Sequence, residues 1–444
     1  MGTSGLLVRS ALIAALAGFL FGFDTVVISG AEQKIQVLWV LSDWQHGLAV
    51  SMALWGTVVG SLAGAWPADR YGRRATLLWV GVLYLVSALW SATAAGPMGF
   101  MLARFLGGIG IGISTVVAPL YISEIAPPHA RGRLTGLFQF NIVFGILVAY
   151  LSNALLRGVG GADWRWMLGI AAIPSLAYTL LCLGISESPR WLLVFRNRHA
   201  EAVAIMRRID PAMDGPAAEA QAAAIESGGA GQPGSVLSLL GAGLGRPVLM
   251  AFLIAFFNQL SGINAILYFA PRIFELTGLG AHGAMLQSVG IGVTNLVFTL
   301  LGLQLIDRIG RRTLLLIGSF GYIASLGACG WAFLSGHYAV VPACVFAFIA
   351  AHAIGQGAVI WVFISEIFPN QQRAAGQSLG STTHWVFAAL VTLVFPALVK
   401  AIAPGVVFLL FMGMMVLQLA WVVLRMPETR GVPLEQLQRQ LRGG

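Results

Sequence analysis

Long apolar runs broken by short polar joints dominate this chain. Twelve of them are close to 20 residues or longer: Ser10–Ala31, Gly47–Pro67, Ala75–Ala95, Met98–Tyr121, Leu134–Leu156, Trp166–Ile185, Pro247–Phe269, Met285–Ile306, Thr313–Leu334, Val340–Phe363, Gly376–Val399 and Pro404–Leu424. About 20 apolar residues in a helix cross the roughly 30 Å hydrocarbon core of a bilayer. None of the runs shows the ten-residue alternation of barrel strands, so helices are the predicted spanning elements. The first run follows Arg9 and could imitate a signal peptide. It is long for one, carries Asp24 and shows no small-residue cleavage site, so a retained span is expected. From 187 to 245 the pattern changes to polar and Ala/Glu/Arg-rich. There Ala200–Ile209 and Ala217–Ile225 read as amphipathic helices separated by Pro211, Gly215 and Pro216.

Composition agrees with the pattern. The chain is 58% hydrophobic and only 10% charged, against about 25% charged residues in soluble domains. Its formal charge of +9 is unevenly placed. One set of joints collects Arg70, Arg73, Arg74, Arg131, Arg133, Arg308, Arg311, Arg312 and Arg373, the arginines of the central polar stretch and those of the C-terminal tail. The other set holds only Lys34, Arg157, Arg165, Arg272 and Lys400. Such asymmetry follows the positive-inside rule and places both termini in the cytoplasm. The charge is thus topological, and a nucleic-acid partner is not expected. Cys182, Cys329 and Cys344 all fall within spans and read as packing residues, with neither disulfide nor metal spacing.

Two strings occur twice. Asp69-Arg-Tyr-Gly-Arg-Arg74 between the second and third spans is echoed by Asp307-Arg-Ile-Gly-Arg-Arg312 between the eighth and ninth. Ile122-Ser-Glu124-Ile-Ala-Pro127 after the fourth span is echoed by Ile364-Ser-Glu366-Ile-Phe-Pro369 after the tenth. The predicted fold is therefore an all-α membrane protein of twelve transmembrane helices in two pseudo-symmetric six-helix halves, with a substrate site between them. The expected divisions are 1–186 for the first half, 187–245 for a cytoplasmic helical linker, 246–426 for the second half and 427–444 for a cytoplasmic tail. Gly72 and Gly310 permit tight turns, and Asp69 or Asp307 can pair with Glu124 or Glu366 through shared arginines. Such clusters would close the cytoplasmic face and break when it opens. Plain retention signals would account for the arginines but not for the matched strings.

Asp24 is the only carboxylate in the first apolar run, and Arg104 the only basic residue in Met98–Leu120. A charge at membrane depth costs from about 2.5 to more than 10 kcal/mol, so such residues usually face a partner or a cavity. The two suggest a titratable pair and proton-coupled movement of a solute. A static ion pair that fixes helix packing is the alternative reading.

The chain resembles the sugar porters of the major facilitator superfamily over nearly its whole length. The resemblance rests on the repeated Asp-Arg-x-Gly-Arg-Arg strings, Tyr121-Ile-Ser-Glu124 with Arg131-Gly132, Glu187-Ser-Pro-Arg190-Trp191-Leu192, Gln259-Leu-Ser-Gly-Ile-Asn264 and Pro427-Glu-Thr-Arg-Gly431. It implies a monosaccharide site built from Phe21, Gln139, Asn258, Gln259, Asn264, Asn295, Trp361, His384 and Trp385. Amides can both donate to and accept from sugar hydroxyls, and aromatic faces suit a sugar's C–H surface. An outer gate at Tyr268 and Phe269 is implied as well, and an acid at the Asp24 position marks proton symporters in that family. An inner gate is expected from Asp69, Arg73, Glu124, Arg131, Glu187 and Arg190 with Asp307, Arg311, Glu366 and Arg373.

This chain departs from the family pattern in four places. Asn258 stands where a glutamine is usual. Gly355-Gln-Gly-Ala-Val-Ile360 replaces a proline-rich approach, His384 an amide, and Phe269 a second tyrosine. His352 reads as a packing histidine.

Other strings carry little. Gly376-Gln-Ser-Leu-Gly380 opens a span rather than following a strand, so it is no nucleophile elbow. No phosphate loop is present, and the only lysines are Lys34 and Lys400. Gly107-Gly-Ile-Gly-Ile-Gly112 reads as close helix packing. The expected protein is a monomeric secondary transporter of the inner membrane, not an enzyme. It would need no cofactor or metal and would import a monosaccharide with a proton by alternating access. A sugar uniporter with a structural Asp24–Arg104 pair is the alternative.

Overall fold

The computed structural model describes residues 4–127, 130–228, 239, 243–369, 372–432, 437 and 441, with the side chain of Arg131 outside that set. Twelve described helices are long and apolar enough to cross a membrane: Gly5–Gly30, Asp43–Ala63, Arg73–Thr93, Pro97–Ile125, Gly132–Leu156, Asp163–Cys182, Gly245–Tyr268, Ala281–Ile309, Arg311–Ser335, Tyr338–Ile367, Arg373–Ala401 and Pro404–Arg425. Several outrun the apolar stretches that announced them. The fourth continues to Ile125 and the eleventh starts at Arg373, because each carries its charged end beyond the apolar core. Many large apolar side chains stay exposed on these helices, among them Leu89, Leu102, Leu180, Ile317, Phe320 and Leu417. On a soluble protein faces of this extent would be a liability, whereas here they suit lipid.

The described residues form two compact units. The first comprises Met1–Thr25, Trp55–Ile146 and Leu168–Gln232. Glycines let its helices meet at backbone distance. A Cβ at Gly22 would lie 1.9 Å from the Ile142 carbonyl oxygen, and one at Gly112 would lie 2.4 Å from both Thr57 O and Ser61 N. The Gly107–Gly112 run is therefore a packing surface. The polar stretch after the sixth span supplies three helices to this unit, Pro189–Arg196, His199–Ile209 and Gly215–Gly228. Ser188 caps the first of these by accepting the Trp191 N–H at 3.2 Å. Leu192, Leu193, Ala202, Ile205, Met206 and Ala222 bury their apolar faces against the spans.

The second unit comprises Val26–Leu54, Leu147–Met167 and Pro233–Gly444. It thus joins the arginine-poor ends of the first, second, fifth and sixth spans to the six later ones. Backbone contacts are close here too, since a Cβ at Gly47 would lie 2.0 Å from Leu393 O. Tyr150 Oη donates to Leu267 O at 2.6 Å. Two of its spans are broken. The seventh runs Gly245–Leu260 and resumes at Ile263–Tyr268, with Gly262 at φ +84° between them. The tenth breaks at Gly355 between Val341–Ile354 and Gln356–Ile367.

Candidate functional site

Asp24 and Arg104 meet in the first unit. Arg104 Nη1 donates to Asp24 Oδ1 at 2.6 Å and Nη2 to the Asp24 carbonyl at 3.0 Å. Asp24 is 6% exposed and Arg104 1%. The guanidinium holds only one carboxylate oxygen. Asp24 Oδ2 is buried without a hydrogen-bond partner among the described residues. Gly107 leaves room beside it, because a Cβ there would come within 3.9 Å of Oδ2 and 2.4 Å of Ser87 Oγ. A carboxylate with one oxygen engaged and one idle can take up a proton without first losing its partner.

The same unit carries Phe21 and Gln139. The first and fifth spans cross where Gly18 faces Phe138 O, which places Gln139 beside the crossing. Gln139 is half-buried and makes no side-chain hydrogen bond among the described residues.

The remaining expected sugar ligands lie in the second unit, and the broken seventh span brings three of them together. In a continuous helix residues five apart point about 140° apart. The turn at Ser261-Gly262 removes that offset, so Asn264 Nδ2 donates to Gln259 Oε1 at 2.6 Å. Gln259 Nε2 donates to Asn258 Oδ1 at 2.8 Å and lies 3.1 Å from His384 Nε2. The His384 ring sits 5.1 Å from Trp361 and 4.6 Å, edge-on, from Trp385. Asn295 is buried on the eighth span, its Oδ1 accepting from Thr299 Oγ1 at 3.4 Å. His352 Nδ1 is hydrogen-bonded to the Tyr322 hydroxyl at 2.6 Å within the bundle.

Tyr268 and Phe269 are fully buried. Phe269 stacks on Phe395 at 5.1 Å and meets the His46 ring at 5.9 Å. Near them is a charge cluster on the arginine-poor side that the sequence reading missed. Arg272 Nε and Nη2 donate to the two Glu32 carboxylate oxygens at 3.1 and 2.8 Å, and Nη2 also to Gln36 at 2.6 Å. His46 Nε2 lies 2.8 Å from Glu32 Oε2, with both side chains wholly buried. Lys400 pairs with Asp43 at 2.8 Å, and Lys34 pairs with Asp163. The Arg272–Glu32 and Lys400–Asp43 pairs tie the arginine-poor ends of the first and second spans to the later ones, and Lys34–Asp163 ties the first to the sixth. Glu32 and Arg272 stand 240 residues apart, so nothing local in the sequence links them. Their one signal was an isolated acid and base on a side poor in charge.

The repeated strings build one cluster in each unit. Arg73 donates through Nε and Nη2 to Glu124, both at 2.9 Å, and through Nη1 to Asp69 and Ala68 O, both at 3.0 Å. Arg311 does the same with Glu366 at 3.2 and 2.8 Å and with Asp307 and Ile306 O at 3.0 Å. Each glycine then shows its purpose. Gly72 and Gly310 adopt φ of +102° and +104°, and a Cβ there would lie 2.3 Å from Glu187 Oε2 and 2.5 Å from Glu428 Oε2. Without a side chain in the way, Glu187 accepts the N–H groups of Arg73 and Arg74 at 2.9 and 3.2 Å. Glu428 accepts those of Arg311 and Arg312 at 2.9 and 3.1 Å. A carboxylate at a helix N-terminus is favoured by the helix dipole and the free N–H groups. Burial nevertheless raises the Glu187 carboxyl above its ordinary value, outweighing the backbone N–H bonds and Arg73 that act the other way.

Two expected gate residues stand outside these clusters. Arg190 is exposed and makes no ion pair among the described residues, because the Pro189–Arg196 helix turns it to solvent. Arg373 is half-buried, and its Nε has no partner among the described residues. The Arg131 side chain lies outside the described set. Glu428 was not among the expected gate residues, although it lay within a motif that carried the family resemblance.

Residues 10–441 match the family described as Sugar (and other) transporter. The chain belongs to this family. It is 32% identical to the arabinose-proton symporter of Bacillus subtilis, with 98% of this chain and 95% of that one covered. It is 33% identical to the glucose facilitated diffusion protein of Zymomonas mobilis, with 99% and 98% covered. The partially occluded inward open conformation of the xylose transporter XylE from E. coli matches the fold with a TM-score of 0.85 at 30% identity, covering 97% of this chain and 100% of that one. The all-helical major facilitator fold of twelve spans follows from these likenesses together with the helices described.

Proposed function

We propose that this transporter imports a monosaccharide together with a proton by alternating access. The carrying observation is the buried Asp24 carboxylate, which keeps one oxygen on Arg104 and leaves Oδ2 free to receive a proton. Protonation removes the charge that Arg104 neutralises, loosens the pair and lets the first half repack around bound sugar. Phe21, Gln139, Asn258, Gln259, Asn264, Asn295, Trp361, His384 and Trp385 bind the sugar, with amides meeting hydroxyls and rings covering its C–H face. Tyr268 and Phe269 close the extracellular side, aided by the Glu32–Arg272–His46 cluster. The arginine clusters close the cytoplasmic side. The inherited halves are 1–186 and 246–426, joined by the linker 187–245 and followed by the tail 427–444. The protein works as a monomer in the plasma membrane with both termini cytoplasmic, and it makes and breaks no covalent bond.

The glucose facilitated diffusion protein among the relatives keeps a second reading in play, a uniporter whose Asp24–Arg104 pair is structural. Proteoliposomes separate the two. Counterflow against a panel of labelled monosaccharides first identifies the substrate. Asp24→Asn is then expected to abolish uphill accumulation under a proton gradient while sugar exchange persists. Uphill uptake surviving in Asp24→Asn would rule out the proton role and leave the uniporter.

A further inference from the structure

We propose that Gln356 and Gln418 are positioning residues for the sugar, fixing which way the seventh-span amides present their donors and acceptors. The proposal rests on the reading of Asn258, Gln259 and Asn264 as sugar ligands.

Six side chains from four spans form one hydrogen-bonded file. Asn264 donates to Gln259 at 2.6 Å, and Gln259 to Asn258 at 2.8 Å. Asn258 Nδ2 donates to Gln356 Oε1 at 3.4 Å, Gln356 Nε2 to Gln418 Oε1 at 2.5 Å, and Gln418 Nε2 to Ser319 Oγ at 2.8 Å. None of the six is more than 8% exposed. Two places where the chain departs from its family's pattern meet in this file. Asn258 is a methylene short, and Gln356, standing in the altered approach to Trp361, reaches across to it.

Direction is what makes the file more than glue. Each amide after Asn264 accepts through its carbonyl from the residue before and donates through its NH2 to the residue after. Turning one amide over would set donor against donor and acceptor against acceptor at its junctions, and a buried amide left unsatisfied is costly. The amides therefore keep their orientations together. Gln259 spends both N–H groups, on Asn258 and on His384, and shows a sugar hydroxyl only its carbonyl. Asn264 keeps its carbonyl and one N–H free among the described residues. Ser319 ends the file with a hydroxyl that can serve as acceptor. Simple interhelical glue would change stability but not the pattern offered to the ligand.

Calorimetry on the purified full-length protein tests this, with D-xylose, D-glucose, D-galactose and L-arabinose as probes and the tightest wild-type binder carried forward. Gln418→Leu removes the link at similar volume, and its Kd is expected to rise about tenfold. Gln418→Glu is expected to bind like wild type near pH 6. A buried carboxyl stays neutral, so its carbonyl accepts from Gln356 and its O–H donates to Ser319. Its affinity then falls as pH rises far enough to ionise it, a dependence that a purely structural role would not produce. Wild-type affinity in Gln418→Leu, or equally weak binding by the Leu and Glu variants near pH 6, overturns the proposal. If Gln418→Leu folds poorly, Ser319→Ala decides instead, with about threefold weaker binding in support and unchanged binding against. Gln259→Ala separates the two levels. Should it also keep wild-type affinity, the sugar-site reading itself falls. Should it alone weaken binding, only the positioning role does.

Discussion

The two arginine clusters are copies in connectivity and differ in their surroundings. Arg73 and Arg311 use the same atoms on equivalent partners, and the carboxylates that cap their helices follow 114 and 117 residues later. Yet the Glu124 side chain is 5% exposed and Glu366 29%, while Asp69 is 37% exposed and Asp307 80%. The first cluster lies under the linker. Trp191 Nε1 donates to Asp69 O at 2.8 Å and Arg196 to Arg70 O at 2.7 Å. At the second, the segment after the twelfth span supplies Thr429, whose Oγ1 donates to Glu366 at 2.6 Å. One sequence motif can therefore yield a desolvated, rigid cluster and a wetter, looser one, depending on what the chain lays over it.

The largest consequence should be in stability. Removing one partner of a buried pair strands the other charge and costs roughly 3–5 kcal/mol, whereas exposed pairs contribute at most about 1 kcal/mol. Arg73→Ala is expected to fall near the first limit, and Arg311→Ala between the two. Thermal unfolding in detergent measures both, and equal losses would show that burial does not separate the clusters.

Part of this contrast could be read from the sequence and part could not. Span length, the arginine bias and the doubled strings are local features, and they foretold twelve helices and the arginine–glutamate partners. Glu187 and Glu428 hold matching places, but they sit in unlike strings, Glu-Ser-Pro-Arg and Pro-Glu-Thr-Arg, and only the first was taken for a gate residue. Only the folded loop shows both capping a helix above a glycine. The Glu32–Arg272–His46 cluster and the Gln356–Gln418 file join spans far apart in the chain. A lone glutamine in an apolar run reads equally well as packing, and its partner becomes visible only across the bundle.

The next effect is on conformation. If the looser cluster is the one that yields when the cytoplasmic face opens, Glu366→Gln shifts the population toward inward-open without unfolding the protein. A change of about 1.4 kcal/mol alters the ratio of states tenfold, within reach of one partly exposed, charge-assisted pair. Expected results are slower net transport, normal expression and faster cytoplasmic labelling of a cysteine placed on the fifth span. Glu124→Gln, in the buried copy, should instead lower the melting temperature. The comparison fails if the two variants exchange these behaviours.

The smallest effect concerns the linker helices that cover the first cluster. His199 Nε2 lies 2.6 Å from Glu219 and Nδ1 2.8 Å from Glu226, which joins the His199–Ile209 helix to Gly215–Gly228. Glu226 first, then Glu219, raise the imidazole above its ordinary 6.5. A raised histidine stabilises the folded state fully below its unfolded value, and the contribution fades as pH climbs through the folded one. Solvent screens this exposed cluster, so the gain is slight. It should still be visible locally by hydrogen exchange corrected for intrinsic rates. Protection of 199–228, and with it of the Arg73 and Arg74 amides, should drop as pH climbs through the raised His199 value, and His199→Gln should remove the step. The Arg311 and Arg312 amides, capped by Glu428, should not follow. A matching step at Arg311 and Arg312 would mean that pH acts on both clusters directly and that the linker is not what sets them apart.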